Sequence, residues 1–408
     1  MDEISRYVAG VDVGTGSVRA VIATMSEKGL LNVVGYAEVP NSGMRRGIVA
    51  NLAGPQQAIN QALCDVERMS GYNVNMATLS INGSQILSTR TEGMIAVGTM
   101  DHEINGDDLA RVEEVALQGR IPANQEVLQV VPLQFMLDGQ GGIKDPIGMT
   151  GSRLEMKANV VSGLVPNCDN LRKAAEMANV ATEQIVPSAM AAARAVLTER
   201  QMENGVAVVD IGAATTGVAI YEESDLQYIG VVPVGSNNIT NDLAVMLAID
   251  TEIAEELKRR FATGDFGGSD EPVVIRWRGK ELHFERDQID EVVQARLDEI
   301  LELVRKELKR AHYEQRLPEG IVLTGGGARM RGIEKFVRST LNMSVKVGVP
   351  TGLAGVAEAT QKPEYATAVG LMLISADNCD RRAPKKVHRK PKKGKAKEGF
   401  FKRILGKF

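Results

Sequence analysis

A chain of 408 residues can bury more than one hydrophobic core, and 44% hydrophobic with 25% charged residues is the balance of a soluble globular protein. Cys64, Cys168 and Cys379 are scattered and odd in number, without a CxxC or a Cys/His cluster, so neither a zinc site nor a disulfide framework is indicated and free thiols are expected. The net charge of −4 hides an asymmetry, because residues 381–408 hold 13 Lys/Arg against one Glu, so the body is acidic and the tail calls for an acidic partner.

The first residues, MDEISRY, lack the basic-then-apolar signature of a secretory signal. No run of 18 apolar residues is available to span a bilayer. The apolar run Tyr7–Val11 predicts a strand that ends at Asp12, in the turn DVGTGSVR. Two more strands follow, then a helix from about Pro55 to Ser70, with Pro55 in its first turn. Thr78–Ile81 reads as a short strand. Residues 84–162 are strand-rich, with one helix near Asp107–Leu117 that Asp107 or Asp108 can cap. Lying between the two candidate nucleotide halves, this segment reads as an inserted subdomain. Helices are expected at Asn170–Asn179 and Ser188–Arg200.

From Gly205 the opening pattern repeats. The strand Val206–Val209 runs into Asp210 and the turn DIGAATTG, and two strands and a helix (Asn237–Ala248) follow. The longest helix is Ile289–Arg310, whose apolar residues recur at helical spacing. Arg305, Lys306, Lys309 and Arg310 in its last turns suit the helix dipole and read first as a solvated face. Ile321–Leu323 is a strand running into TGGG, and Tyr365–Ile374 a closing apolar helix. After Asp380 the sequence RRAPKKVHRKPKKGKAK has nothing to bury and is expected to be disordered.

The paired turns carry the chemistry. Each puts one carboxylate (Asp12, Asp210) beside small residues and hydroxyls: Gly14, Thr15, Gly16 and Ser17 in one, Gly212, Thr215 and Thr216 in the other. Small residues let backbone N–H groups approach phosphate oxygens. The aspartates can hold a hydrated Mg²⁺. One such turn is ordinary turn chemistry; two of them suggest two similar lobes closing on one nucleotide. GTGSVR resembles half of a dinucleotide fingerprint, but Arg19 stands where a Gly is wanted, and no GxxxxGK[ST] exists. In VLTGGGARMRG, Gly325, Gly326, Gly327 and Ala328 let backbone pass against a flat ligand. Glu255 and Lys258, three apart on one helical face, are by themselves a solvated ion pair.

The C-terminus GFFKRILGKF is the other sharp signal. At about 100° per residue, Phe400, Phe401, Ile404, Leu405 and Phe408 share one face, and Lys402, Arg403 and Lys407 lie opposite. This is the pattern of a helix lying in an anionic membrane surface. Ten residues rise only about 15 Å and cannot cross. Nucleic-acid binding is disfavoured by the lack of aromatics within residues 381–398.

In this order the motifs resemble those of the actin-like ATPase superfamily, an α/β fold of two lobes built from duplicated ribonuclease-H-like domains. DVGTGSVR and DIGAATTG are similar to its two phosphate loops, VPSAMAAARAVL (186–197) and YATAVGLML (365–373) to its connecting helices, and LTGGGARM to its adenosine loop. SGMRRGIV (42–49), GGIKDPIGMTGSRLEMKANVVSG (141–163) and the amphipathic terminus resemble the FtsA family of bacterial cell division. The resemblance implies ATP and Mg²⁺ as ligands, with Gly235, Glu255 and Lys258 added to the nucleotide contacts. It implies as partners FtsZ, further copies of the chain in an actin-like protofilament, later division proteins and the cytoplasmic face of the inner membrane. It divides the chain into a first lobe (1–83, 163–204 and 351–380), an FtsA-type insertion (84–162), a second lobe (205–235 and 306–350) with an outer part (236–305), a basic linker (381–398) and a membrane helix (399–408). Two departures stand out. Ala213 and Ala214 replace glycines usual in the second phosphate loop, and Val186 stands where relatives that hydrolyse ATP carry a Glu before Pro, so turnover is expected to be slow. A small-molecule kinase of the same superfamily and a PilM-like pilus scaffold are the alternatives; the first lacks an evident acceptor-side base, the second would not need this tail.

Overall fold

The computed structural model describes residues 6–26, 30–98, 103–266 and 272–382. The predicted membrane helix and all but the first two residues of the predicted linker lie outside them.

Strands β1 (Arg6–Val13), β2 (Ser17–Met25) and β3 (Leu31–Pro40) form an antiparallel meander. Alternation sends Val18, Ala20 and Ile22 to one face and Val21 and Ala23 to the other, and both faces are covered. A two-rung hairpin, β4 (Met44–Arg45) and β5 (Ile48–Val49), leads to α1 (Ala53–Ser70) and to β6 (Met76–Ile81), which returns parallel to β1.

The chain then leaves this sheet. β7 (Leu87–Ala96), α2 (Gly106–Leu117), β8 (Gln125–Leu137), β9 (Gln140–Ile143) and β10 (Arg153–Leu164) make a separate antiparallel sheet in the order 7-10-8-9. Its own core, with Ile104, Val112, Phe135, Leu154 and Met156, packs α2 on the sheet. The cap of α2 is Asn105, not Asp107 or Asp108. The Asn105 side chain accepts from the backbone N–H of both aspartates, and the Asp108 carboxylate accepts from the Asn105 N–H in return. α3 (Val165–Met177) and β11 (Ala181–Pro187) complete the first sheet in the order 11-6-1-2-3.

α4 (Ser188–Val196) and α5 (Glu199–Asn204) divide what periodicity predicts as one helix. Leu197 is extended, and Thr198 caps the second helix with Gln201. β12 (Val206–Ile211), β13 (Thr216–Glu222) and β14 (Asp225–Val232) repeat the opening meander. Next come α6 (Ser236–Met246), α7 (Thr251–Phe261), the ribbon β15 (Val273–Trp277) with β16 (Lys280–Phe284), and α8 (Arg286–Arg310). β17 (Ile321–Thr324) returns parallel to β12, and after α9 (Ile333–Leu341), β18 (Val345–Val347) pairs parallel with β17. The second sheet runs 14-13-12-17-18. In each sheet the first three strands form the meander and the next two add in parallel beside the first, so the topology is duplicated.

β19 (Ala354–Gly355) pairs with β3 on the first sheet, and α10 (Ala366–Arg382) closes the described chain. α10 runs past the predicted end at Ile374 and takes the backbone of Arg381 and Arg382, the first two linker residues, into the helix. The two lobes trade their covering helices. α4 follows the first sheet but packs on β12 and β13; α10 follows the second sheet but packs on β1 and β6. Glycine makes both contacts close. A Cβ on Gly10 of β1 would collide with the backbone of Ala368 and Met372, and one on Gly217 of β13 would lie 2.8 Å from the Ala189 Cβ. α4 and α10 cross where Gly370 meets the Ala191 carbonyl, with no room for a methyl group.

Candidate functional site between the lobes

β1 and β12 each carry an aspartate one residue before their last, and small residues take the chain through the turn that follows. The two turns are built alike. Gly14 N donates to Ser17 O at 3.1 Å, and Gly212 N to Thr215 O at 2.9 Å. The segment after the third strand braces each turn. Asn41 Nδ2 donates to Gly14 O at 2.7 Å and its backbone N to Gly16 O at 3.1 Å. In the second lobe, Ser236 N donates to Gly212 O at 2.9 Å and Asn237 N to Ala213 O at 2.7 Å. The turns meet: a Cβ on Gly16 would lie 3.0 Å from the methyl of Ala213, so one departure from the usual glycines sits at the contact between the lobes.

Asp12 Oδ1 accepts from Ser80 Oγ at 2.8 Å, and Ser80 Oγ in turn accepts from Val13 N at 2.8 Å. Burial pushes the Asp12 carboxyl above its usual range, while the Arg19 charge and the Ser80 bond pull it back. Asp210 is 8% exposed. Burial, and then the charge of Asp12, push it up to about 7, against a hydrogen bond from Thr367 Oγ1 at 3.3 Å. The Asp12 charge adds to the cost of ionising Asp210, and a hard cation between them would lower that cost. Among the described residues no third His, Cys, Asp or Glu joins them, so Mg²⁺ held there would take its other ligands from phosphate and water.

The glycines after β17 pack against this centre. Gly325 has φ +82°, and a Cβ on it would strike Asp210 Oδ1; one on Gly327 would strike the Ile211 side chain; Gly326 is open. Ala328 is buried in the second-lobe core, so its side chain supports the loop from behind. Gly235 allows the α6 N-terminus to lie on the second turn, where a Cβ would be 2.7 Å from Gly212 O and Thr215 N. Lys258 is no solvated ion pair. Its side chain is 10% exposed, and the ammonium bonds Glu255 Oε2 at 2.6 Å, Thr240 Oγ1 at 2.8 Å and Ser236 O at 3.3 Å, tying α7 to α6, whose N-terminus braces the second turn. Burial holds its pKa below the ordinary lysine value.

The hydroxyls divide. Thr15 Oγ1 accepts from Gly47 N at 3.1 Å, and Ser17 begins β2. Thr215 is nearly buried beside Gly212. Thr216 is fully buried and donates to Val234 O at 2.8 Å, so it braces strands rather than offering its hydroxyl to a phosphate. Val186 is paired in register with Ser80, one strand from Asp12, and is buried among Ala191, Leu371 and Met190. Sequence reasoning left out Arg19, Asn41, Ser80 and Thr367. Arg19 was findable: a tight hairpin turn after Asp12 pairs the two residues across β1 and β2, as observed.

Comparison with known proteins agrees with this geometry. The sequence model described as "Cell division protein FtsA" matches residues 207–370, and the one described as "SHS2 domain inserted in FTSA" matches residues 83–162. Cell division protein FtsA of Pseudomonas aeruginosa is 35% identical over 372 residues, covering 90% of this chain and 89% of its own. This chain belongs to the FtsA family. FtsA of Neisseria meningitidis is 32% identical, covering 91% of both chains, and FtsA of Bacillus subtilis 31% identical, covering 93% of this chain and 85% of its own. Among solved structures, the PilM–PilN type IV pilus biogenesis complex aligns with a TM-score of 0.67 at 16% identity, over 90% of this chain and 98% of that one. MreB5 of Spiroplasma citri bound to ADP gives 0.54 at 15% identity, over 92% and 98%. The MamK double helical filament gives 0.52 at 13%, over 91% and 98%. These place the FtsA chain in the actin-like fold with the FtsA insertion.

Proposed function

We propose that this FtsA-family protein binds Mg-ATP between its lobes, polymerises in an actin-like manner, and tethers filaments of the tubulin-like FtsZ to the cytoplasmic membrane through its C-terminal segment, where later division proteins are recruited. The observation that carries the nucleotide part is the nearness of Asp12 and Asp210, from equivalent places in the two meanders, beside a loop whose Gly325 and Gly327 leave no room for side chains. The names of the relatives support cell division, and the ADP-bound and filamentous fold neighbours support nucleotide binding and self-association. The membrane part rests on the amphipathic sequence 399–408 alone. Among the described residues no helix is long and apolar enough to cross a membrane.

For FtsZ the reading favours the outer part of the second lobe. Where that part joins the rest of the second lobe, a cavity of about 380 Å³ is lined by Asp298, Glu302, Arg305, Lys306, Lys309 and Thr340. Its cations are already partnered, Lys306 with Glu302 at 2.8 Å and Lys309 with Glu314 at 3.7 Å, so an acidic peptide would exchange partners there rather than meet bare charge. Hydrolysis is slow in this reading, because Val186 and its apolar neighbours offer no group to orient water.

The test is titration of the purified full chain with Mg-ATP, followed by electron microscopy on anionic lipid with and without the last ten residues. Asp12→Ala and Asp210→Ala should each weaken ATP binding and, with it, filament formation. Unchanged affinity in both variants refutes the site, and filaments on lipid without residues 399–408 refute the anchor.

A further inference from the structure

Glu364 lies just before α10, outside every motif used so far. The segment carrying it is stitched to the glycine loop: the Pro363 carbonyl accepts from Gly325 N at 3.1 Å and from Thr324 Oγ1 at 3.1 Å. Arg329, at the end of the short 3₁₀ turn Gly326–Arg329, donates to Glu364 Oε1 at 3.0 Å. Three residues on, Thr367 bonds Asp210. Glu364 is therefore tied to the end of the glycine loop through Arg329, three residues before the one that bonds Asp210. It is 6% exposed, and its second oxygen, Oε2, is buried without a hydrogen-bond partner among the described residues. A buried carboxylate oxygen without a donor is costly to keep unless something supplies one.

We propose that Glu364 is a base-reading residue, whose Oε2 accepts a hydrogen bond from the 6-amino group of adenine. This deepens the nucleotide reading and rests on it. Several features fit. The acceptor-only character of an ionised carboxylate suits an exocyclic amine and repels a 6-oxo group. Oε1, held by Arg329, fixes the carboxylate plane, so Oε2 keeps one position and would gain a donor without a further loss of rotamer freedom. Arg329 also ends the turn whose open glycine, Gly326, leaves space for a flat ring. A site with a buried group that needs a donor discriminates strongly against a ligand that lacks one.

The experiment compares Mg²⁺ complexes of ATP, inosine triphosphate and purine riboside triphosphate on the full chain by equilibrium titration. The wild type should bind ATP roughly 10- to 100-fold more tightly than either analogue. In Glu364→Gln the amide can donate to a 6-oxo group, so ATP should weaken while inosine triphosphate tightens; a merely structural role would weaken both together. Glu364→Met, of similar length and needing no partner, covers a failure of the Gln variant to fold, and should bind ATP and purine riboside triphosphate within about threefold of each other. Equal binding of the three nucleotides by the wild type, or an unchanged ATP preference in either variant, overturns the assignment while leaving the nucleotide site standing. Failure of every triphosphate to bind overturns the nucleotide reading and this inference with it.

Discussion

Asp210→Asn should stabilise the ligand-free protein at the pH where it destroys ligand binding. The wild-type carboxyl is pushed from 3.8 up to about 7 by burial and the Asp12 charge. A carboxyl raised on folding binds its proton more tightly in the native state, so its contribution is fully present below about pH 4 and is lost as pH rises through about 7. The shift of roughly three pKa units corresponds to about 4 kcal/mol at pH 8, and to about 2 kcal/mol at pH 5, where the unfolded state has already ionised and the folded state has not. Asparagine keeps the shape and an acceptor for Thr367 but carries no charge, so it should recover that cost at pH 8 and only part of it at pH 5. The assay is thermal denaturation across pH 5–8, with and without Mg-ATP. Without ligand the variant should melt higher than wild type, with the gap widening toward pH 8. With Mg-ATP the wild type should gain melting temperature and the variant should not. A variant that melts lower by the same margin at both pH values would show that Asp210 is a structural residue with ordinary ionisation, and the electrostatic argument would fall.

Ser80→Ala removes the acceptor of Val13 N and the donor to Asp12, and should cost about 1–3 kcal/mol of stability together with Mg-ATP affinity; unchanged affinity would mean that Asp12 is oriented by other contacts. Gly370→Ala puts a methyl group into the Ala191 carbonyl at the crossing of α4 and α10, and should destabilise by about 3 kcal/mol, read as a lower denaturation midpoint; an unaltered midpoint would contradict the observed crossing. Deleting residues 399–408 should abolish co-sedimentation with anionic vesicles and leave ATP binding intact, whereas retained sedimentation at moderate salt would discard the anchor.

The repeat of strand, acidic turn and meander was legible because it is local: alternating burial and small-residue turns leave their pattern in adjacent positions. The exchange of α4 and α10 was not, since a run of alanines says that a helix packs closely but not against which sheet. Thr215 and Thr216 show a recoverable error. Neighbouring residues at a strand start point to opposite faces, so both hydroxyls cannot serve one phosphate, and Thr216 turns to Val234. Asp107 and Asp108 looked like caps because acids favour a first helical turn, and they occupy it; Asn105 won because its short amide reaches both N–H groups. Ser80 and Glu364 carry no local signal. Their roles come from strands and loops brought together across long separations, which only the fold supplies.

The interchange of covering helices has a consequence for how the chain is made. β1 belongs to the first sheet, yet the helix that seals it, α10, follows the whole second sheet in the chain. Until α10 packs there, Val8, Val21 and Val33 lack most of their cover on that face, and the first sheet stays unfinished. Sealing of the first sheet thus waits on the second, and the two halves lock together in one late step of folding.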